Sequence, residues 1–173
     1  MRSFNNYVPP VGFIFEVSIL GKGGSPGTPA DSSFQEVSGI SMKLETETIK
    51  EGGENRFVHK VPGRASYDDL VLKRGLVVRS SPLFTWCMNT ITGGLNKKIT
   101  PKTIKVSLLD ANAKNNHDPL MTWVFENAYP IKWEVSSLDA TKSEIVVESI
   151  SFTYQYFHQE KAAGAKNYPV SDE

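Results

Sequence analysis

The chain has 173 residues, 39% hydrophobic and 22% charged, which is the composition of an ordinary globular domain with a core of its own. Lys and Arg number 19 and Asp and Glu number 19, for a formal net charge of zero; this argues against a dedicated nucleic-acid binder, because neutralising phosphates takes a basic excess. The single cysteine, Cys87, excludes an intrachain disulfide and a cysteine-rich zinc site.

The chain opens on MRSFNNYVPPVGFIF, whose apolar run is too short and too alternating for a signal peptide or a membrane helix. Cytoplasmic synthesis is expected, with any export inside an assembled particle. From Val11 to Leu20, Phe13, Phe15, Val17 and Ile19 fall on one face at period two and predict a strand. GKGGSPGTPADSS, from Gly21 to Ser33, is loop chemistry. Phe34 to about Lys50 is extended with a break near Ser38-Gly39; Ile40, Met42 and Leu44 alternate with polar residues, so one face is expected to meet the core and the other water or a partner. Glu51 to Asn55 is a turn built on two glycines. Arg56 to Val61 is extended, Pro62-Gly63 reads as a break, and Tyr67 to Arg74 is a strand with Leu70 and Leu72 inward.

One good helix follows. Ser81 is placed to cap it and Pro82 sits at its first position. Leu83, Phe84, Cys87 and Ile91 recur at helical spacing, and Gly93-Gly94 ends it. Thr103 to Leu109 is a strand with Ile104, Val106 and Leu108 inward; Asp110 to Pro119 is a polar loop; Leu120 to Phe125 returns with Met121, Trp123 and Phe125 on one side. Tyr129 to Trp133 and Ser143 to Phe157 complete the set. In the last, Ile145 and Val147 lie on one face but Ile150, Phe152, Tyr154 and Tyr156 on the other, which calls for a bulge or two covered faces. About seven strands and one helix, with no internal repeat, fit a mainly β antiparallel sandwich or barrel with one lateral helix. The domain is expected to span residues 1–157, and residues 158–173 to form a flexible or interface-forming tail.

No active site emerges from these residues. Gly23 to Gly27 matches G-x-S-x-G around Ser25, but Thr28-Pro29-Ala30-Asp31 cannot start the helix that a nucleophile elbow requires. The glycines at 21, 23 and 24 lack the third position of a dinucleotide loop, and there is no GK[ST] element. His59, His117 and His158 are scattered, without metal-ligand spacing. Asp68-Asp69 and Glu45, Glu47 and Glu51 read as solvated or interface faces. Lys97, Lys98, Lys102 and Lys105 form a basic stretch without interleaved aromatics, a weak nucleic-acid signal. Trp86, Trp123 and Trp133 are expected in the core. The chain is thus read as a non-enzyme without cofactor or metal.

An ordered set of segments resembles a known family. Phe34-Gln-Glu-Val-Ser-Gly-Ile40 is followed by Glu45 to Glu51, Gly52-Gly-Glu-Asn-Arg56, Pro62-Gly-Arg64, Leu70-Val-Leu-Lys-Arg-Gly75, Asn127-Ala-Tyr-Pro-Ile-Lys-Trp133 and Ser143 to Phe157. In this order they are similar to the tail tube proteins of contractile phages and phage-tail-like injection systems. The resemblance implies two packed antiparallel sheets with a lateral helix, and six subunits joined edge to edge into a ring around a lumen. It also implies rings stacked into a tube, with the spike or hub, the baseplate and the sheath as partners. It places Gly52, Gly53, Glu54, Asn55 and Arg56 at a hairpin turn that reaches neighbouring subunits or rings. The YVPPVGF lead and the Tyr154-Gln-Tyr-Phe157 ending look like the baseplate-proximal members that start the tube. A main shaft subunit is the alternative within the family. Outside it stand a small-ligand-binding sandwich and, last, a hydrolase acting through Ser25.

Overall fold

A computed structural model of the chain describes residues 15–21, 34–50, 56–76, 81–109, 119–139, 141 and 144–161. In chain order its strands are β1 (Phe15–Leu20), β2 (Glu36–Ser38), β3 (Met42–Ile49), β4 (His59–Tyr67) and β5 (Leu70–Gly75). After helix α1 (Pro82–Gly93) come β6 (Lys102–Leu109), β7 (Pro119–Val135), β8 (Val147–Thr153) and β9 (Tyr156–Lys161). Every strand pairing is antiparallel.

The alternation of apolar residues sets which face turns inward. Val17 on β1, Leu70 and Leu72 on β5, Ile104 and Val106 on β6, Phe125 on β7 and Ile150 and Phe152 on β8 are all buried and form one hydrophobic cluster. Each such side chain contributes roughly 1.5–3 kcal/mol by leaving water. Leu83, Trp86 and Cys87 of α1 join the cluster, and the Trp86 ring stacks on Phe152 at 5.7 Å.

The strand path runs β1-β6-β7-β8-β5-β2, with β9 added on β7. The 17-residue β7 serves two sheets. Its first part, Met121 to Glu126, lies between β6 and β9; its second part, Tyr129 to Val135, pairs with β8. The joint is Asn127, the one non-glycine residue with positive φ, 54°, among the described residues. Asparagine is among the few side chains that tolerate this conformation. Its amide donates to Gln155 Oε1 at 2.6 Å, and Gln155 N–H donates to the Glu126 carbonyl at 3.0 Å. Among the described residues, two antiparallel sheets and one α-helix make the mainly β architecture that the sequence predicts.

The helix begins as its sequence dictates. Ser81 is extended, at φ −98° and ψ 145°, and its hydroxyl accepts from Phe84 N–H at 3.0 Å. That hydroxyl also receives Arg74 Nη2 at 3.2 Å, and Arg74 forms a buried ion pair with Glu148. Trp133 Nε1 donates to the other Glu148 oxygen at 3.1 Å. A buried charge network thereby ties the helix start to β5, β7 and β8.

Several expectations are corrected. The segments 120–125 and 129–133 are one strand bent at Asn127, since the positive φ turns the chain without ending its pairing. Pro62-Gly63 lies inside β4: the register passes from Leu44↔Ala65 to Thr46↔Pro62, so a bulge absorbs the extra residue. Proline is tolerated there because, among the described strands, β4 pairs with β3 alone. On α1 the buried face is Leu83, Trp86 and Cys87, whereas Ile91 is exposed. On β6 a register shift between Leu108 and Leu109 buries Leu109 in place of Leu108. The parity change near the C-terminus needs no second covered face. Ile145 precedes β8 and is exposed, Glu148, Ile150 and Phe152 share the buried face, and the chain breaks at Tyr154-Gln155 before β9. β9 continues through Lys161, so residues 158–161 pair with β7 and belong to the sheet rather than to a tail.

Candidate assembly surface

The residues between β2 and β3 lead from the main sheets into a separate two-stranded ribbon. Gly39 sits at φ 84°, and a Cβ there would lie 1.9 Å from the Asp69 carbonyl oxygen. Only glycine permits both the backbone angle and that close crossing. The Ser41 hydroxyl and the Asp68 carboxylate hydrogen-bond across the same crossing. From there β3 and β4 pair with each other and with no other described strand.

Every residue of β3 is exposed. Met42 and Leu44, expected against the core, retain 65% and 56% of their accessible surface. This is a correction to the sequence reading: the alternation is real, but its apolar face has no covering layer among the described residues. Cross-strand pairing places Met42 opposite Tyr67 and Leu44 opposite Ala65, so these four share a face. Tyr67 anchors its root, packing on Tyr154 at 5.9 Å and Phe157 at 5.7 Å. The opposite face carries Ile49 and Val61 with Lys43, Glu45 and Glu47, and Phe57 and Val58 lead into β4, all exposed.

Beneath the root, the Tyr154 hydroxyl is buried and lacks a hydrogen-bond partner among the described residues. Burial, reinforced by the nearby Asp68 and Asp69 carboxylates, pushes its pKa up to about 12.

Of the predicted contact residues, Gly52, Gly53, Glu54 and Asn55 lie outside the described residues, as does Ser25. Arg56 is exposed just ahead of β4. Arg56 thus precedes the ribbon's second strand, and Met42, Leu44, Val61 and Ala65 are exposed on the ribbon itself. Of the tryptophans, Trp86 is buried, and Trp123 and Trp133 pack against the core while partly exposed. Among the described residues no three His, Cys, Asp or Glu side chains cluster as metal ligands, and no helix is long and apolar enough to cross a membrane.

A two-stranded ribbon is marginal in water by itself, and its outer edges, unpaired among the described strands, and its apolar face are the elements that strand addition and subunit packing use.

The family model described as T4-like virus tail tube protein gp19 matches residues 11–158. No curated protein matches the chain. Among solved structures, a chain of the anti-feeding prophage baseplate, 6-fold symmetrised, is 25% identical; the match covers 90% of this chain and 97% of that one with a TM-score of 0.77. A chain of the PVC extracellular contractile injection system sheath-tube complex in its extended state is 27% identical, with coverage of 91% and 94% and a TM-score of 0.71. A crystal structure of an Hcp protein shares the fold at 12% identity, with coverage of 85% and 98% and a TM-score of 0.51.

Proposed function

Since the chain belongs to the T4-like virus tail tube protein family, we propose that it is a structural, non-catalytic subunit of the inner tube of a contractile injection system or contractile tail. Six copies form a ring, and the ring is the baseplate-proximal one that joins spike to tube. The observation that carries this reading is the ribbon: Met42 and Leu44 stay exposed on a strand pair that joins no other described strand.

In the ring, each ribbon packs its apolar face on the neighbouring copy, and the turn at Gly52, Gly53, Glu54, Asn55 and Arg56 contacts the adjacent subunit or ring. Closing strand edges between copies satisfies their free N–H and C=O groups, and stiffness follows from continuous hydrogen bonding. Partners are the same chain, adjacent tube rings, the spike and baseplate proteins, and the sheath. The chain is made in the cytoplasm and reaches its target within the particle. The likeness to a baseplate chain supports the initiator position. The likeness to a sheath-tube complex favours a second reading, a main shaft subunit.

Negative-stain electron microscopy of the purified protein tests the assembly. Class averages with six-fold symmetry and a central hole are expected, and protein that stays monomeric at high concentration and with spike protein present refutes the ring. Copy number in intact particles separates the positions: one ring per particle supports the initiator, many rings the shaft.

A further inference from the structure

From Leu70 to Leu109 the chain carries seven Lys or Arg residues and no Asp or Glu, leaving an excess of seven acids on the rest of a neutral chain. Several of these cations are engaged: Lys73 with Glu36, Arg74 with Glu148 and Lys105 with Glu160. Lys97 and Lys98 have no ion-pair partner among the described residues. They stand on one wall of an open groove of about 590 Å³ beside α1, whose other wall carries Thr85, Trp86, Asn89 and Thr90.

The groove is held in shape. Trp86 Nε1 donates to the Thr100 carbonyl at 3.0 Å, pinning the returning segment to the helix. Gly93 has helical angles, φ −66° and ψ −24°, so its backbone does not call for glycine. A Cβ at that position would instead lie 2.9 Å from Lys97 Cβ and 3.1 Å from its Cδ. Glycine at 93 leaves room for the Lys97 stem beside the last helical turn.

We propose that this groove binds an extended acidic peptide segment of a partner protein, with carboxylates on Lys97 and Lys98 and the peptide backbone along Thr85 and Asn89. Charge complementarity selects an acidic occupant. Shape selects a peptide: Pro82 to Thr90 spans roughly 12 Å of helix, the length of about four extended residues at ~3.3 Å each. A compact phosphate would engage the lysines and leave the rest of the groove unused. Single-stranded nucleic acid would need an open aromatic face, and Lys102 covers the Trp86 ring at 4.5 Å from its centroid.

Fluorescence anisotropy at low salt, using the full chain and a labelled short peptide of alternating glutamate and alanine, tests the assignment. The glutamate peptide is expected to bind at least about ten-fold more tightly than its glutamine counterpart. Lys97→Glu combined with Lys98→Glu removes that preference, and Lys132→Glu, at an exposed cation paired with Glu134, leaves it intact. Gly93→Ala, which preserves every charge, weakens binding several-fold by displacing the Lys97 stem. It serves as the deciding variant if the double substitution fails to fold. Unchanged binding by the charge-reversed protein, absence of binding by the wild type, or competition by inorganic phosphate or oligothymidylate as effective as by unlabelled peptide overturns the proposal. So does self-association that the double variant abolishes, which would assign the groove to a second copy.

Discussion

Arg74 and Glu148 are each 2% exposed and face each other in register across β5 and β8. Their burial is tolerated because each charge has polar partners besides the other: Ser81 accepts from Arg74, Trp133 donates to Glu148, and the Phe34 ring lies 5.5 Å from the guanidinium. Removing one partner leaves a desolvated charge, so Glu148→Gln is expected to cost about 3–5 kcal/mol in urea unfolding. Arg74→Met with Glu148→Leu should cost less than the single change, because it removes both charges. A double variant less stable than Glu148→Gln would show that the pair contributes more than its own compensation. The pattern was present in the sequence without being read. Arg74 continues the inward parity of Leu70 and Leu72, and Glu148 that of Ile150 and Phe152. Period two assigns a face whatever the residue type; hydrophobicity alone hides a charge that follows the same parity.

Tyr154 poses the opposite case, a buried hydroxyl without a partner among the described residues. Tyr154→Phe is expected to stabilise the fold by about 1 kcal/mol by removing a donor that pays desolvation without a bond. The pH dependence has a definite sign. The folded pKa, about 12, lies above the ordinary 10.0, so the native state holds the phenolic proton more tightly than the unfolded chain. That contribution is complete below pH 10 and is lost as pH rises through about 12. Paired denaturation curves near neutrality and near pH 11 should show the advantage of the Phe variant widening at the higher pH.

Among elements, α1 was the most legible. Ser81 and Pro82 specify its start through local chemistry alone, and the observed cap uses both. Its inward face was less so, because the helix rotates to stack Trp86 on Phe152, a contact set by a strand more than sixty positions away in the chain. The length of β7 was hidden for a similar reason: Asn127 reads as a turn residue, and only neighbouring strands show that pairing continues past it. The crossing at Gly39 sits between these extremes. A break at Ser38-Gly39 was visible, but not that the Asp69 carbonyl passes where a side chain would be. Gly39→Ala combines left-handed backbone strain with this collision, and a loss of at least ~2 kcal/mol is expected from chemical denaturation. An Ala variant within ~0.5 kcal/mol of wild type would show that the crossing relaxes freely.

For the molecule as a whole, the sequence reading erred most where the chain is built for contacts beyond itself. Met42 and Leu44 alternate as core residues do, and a single-chain reading places such a face inside. They are 65% and 56% exposed, and no described element supplies the layer that the alternation anticipates. This separates two quantities that usually move together. Met42→Asp with Leu44→Asp removes apolar surface that no described element covers, so its thermal midpoint should match wild type, as surface changes commonly alter stability by less than about 0.5 kcal/mol. Burying those same carboxylates against a neighbouring copy would cost several kcal/mol per site, so assembly should fail. Sedimentation velocity across a concentration series, read beside thermal melts, measures both. A variant that melts like wild type yet stays monomeric under conditions where wild type forms rings places the ribbon in the interface. A variant that melts early would put Met42 and Leu44 back in the fold of the single chain, and one that assembles normally would leave their exposure without a role in the ring.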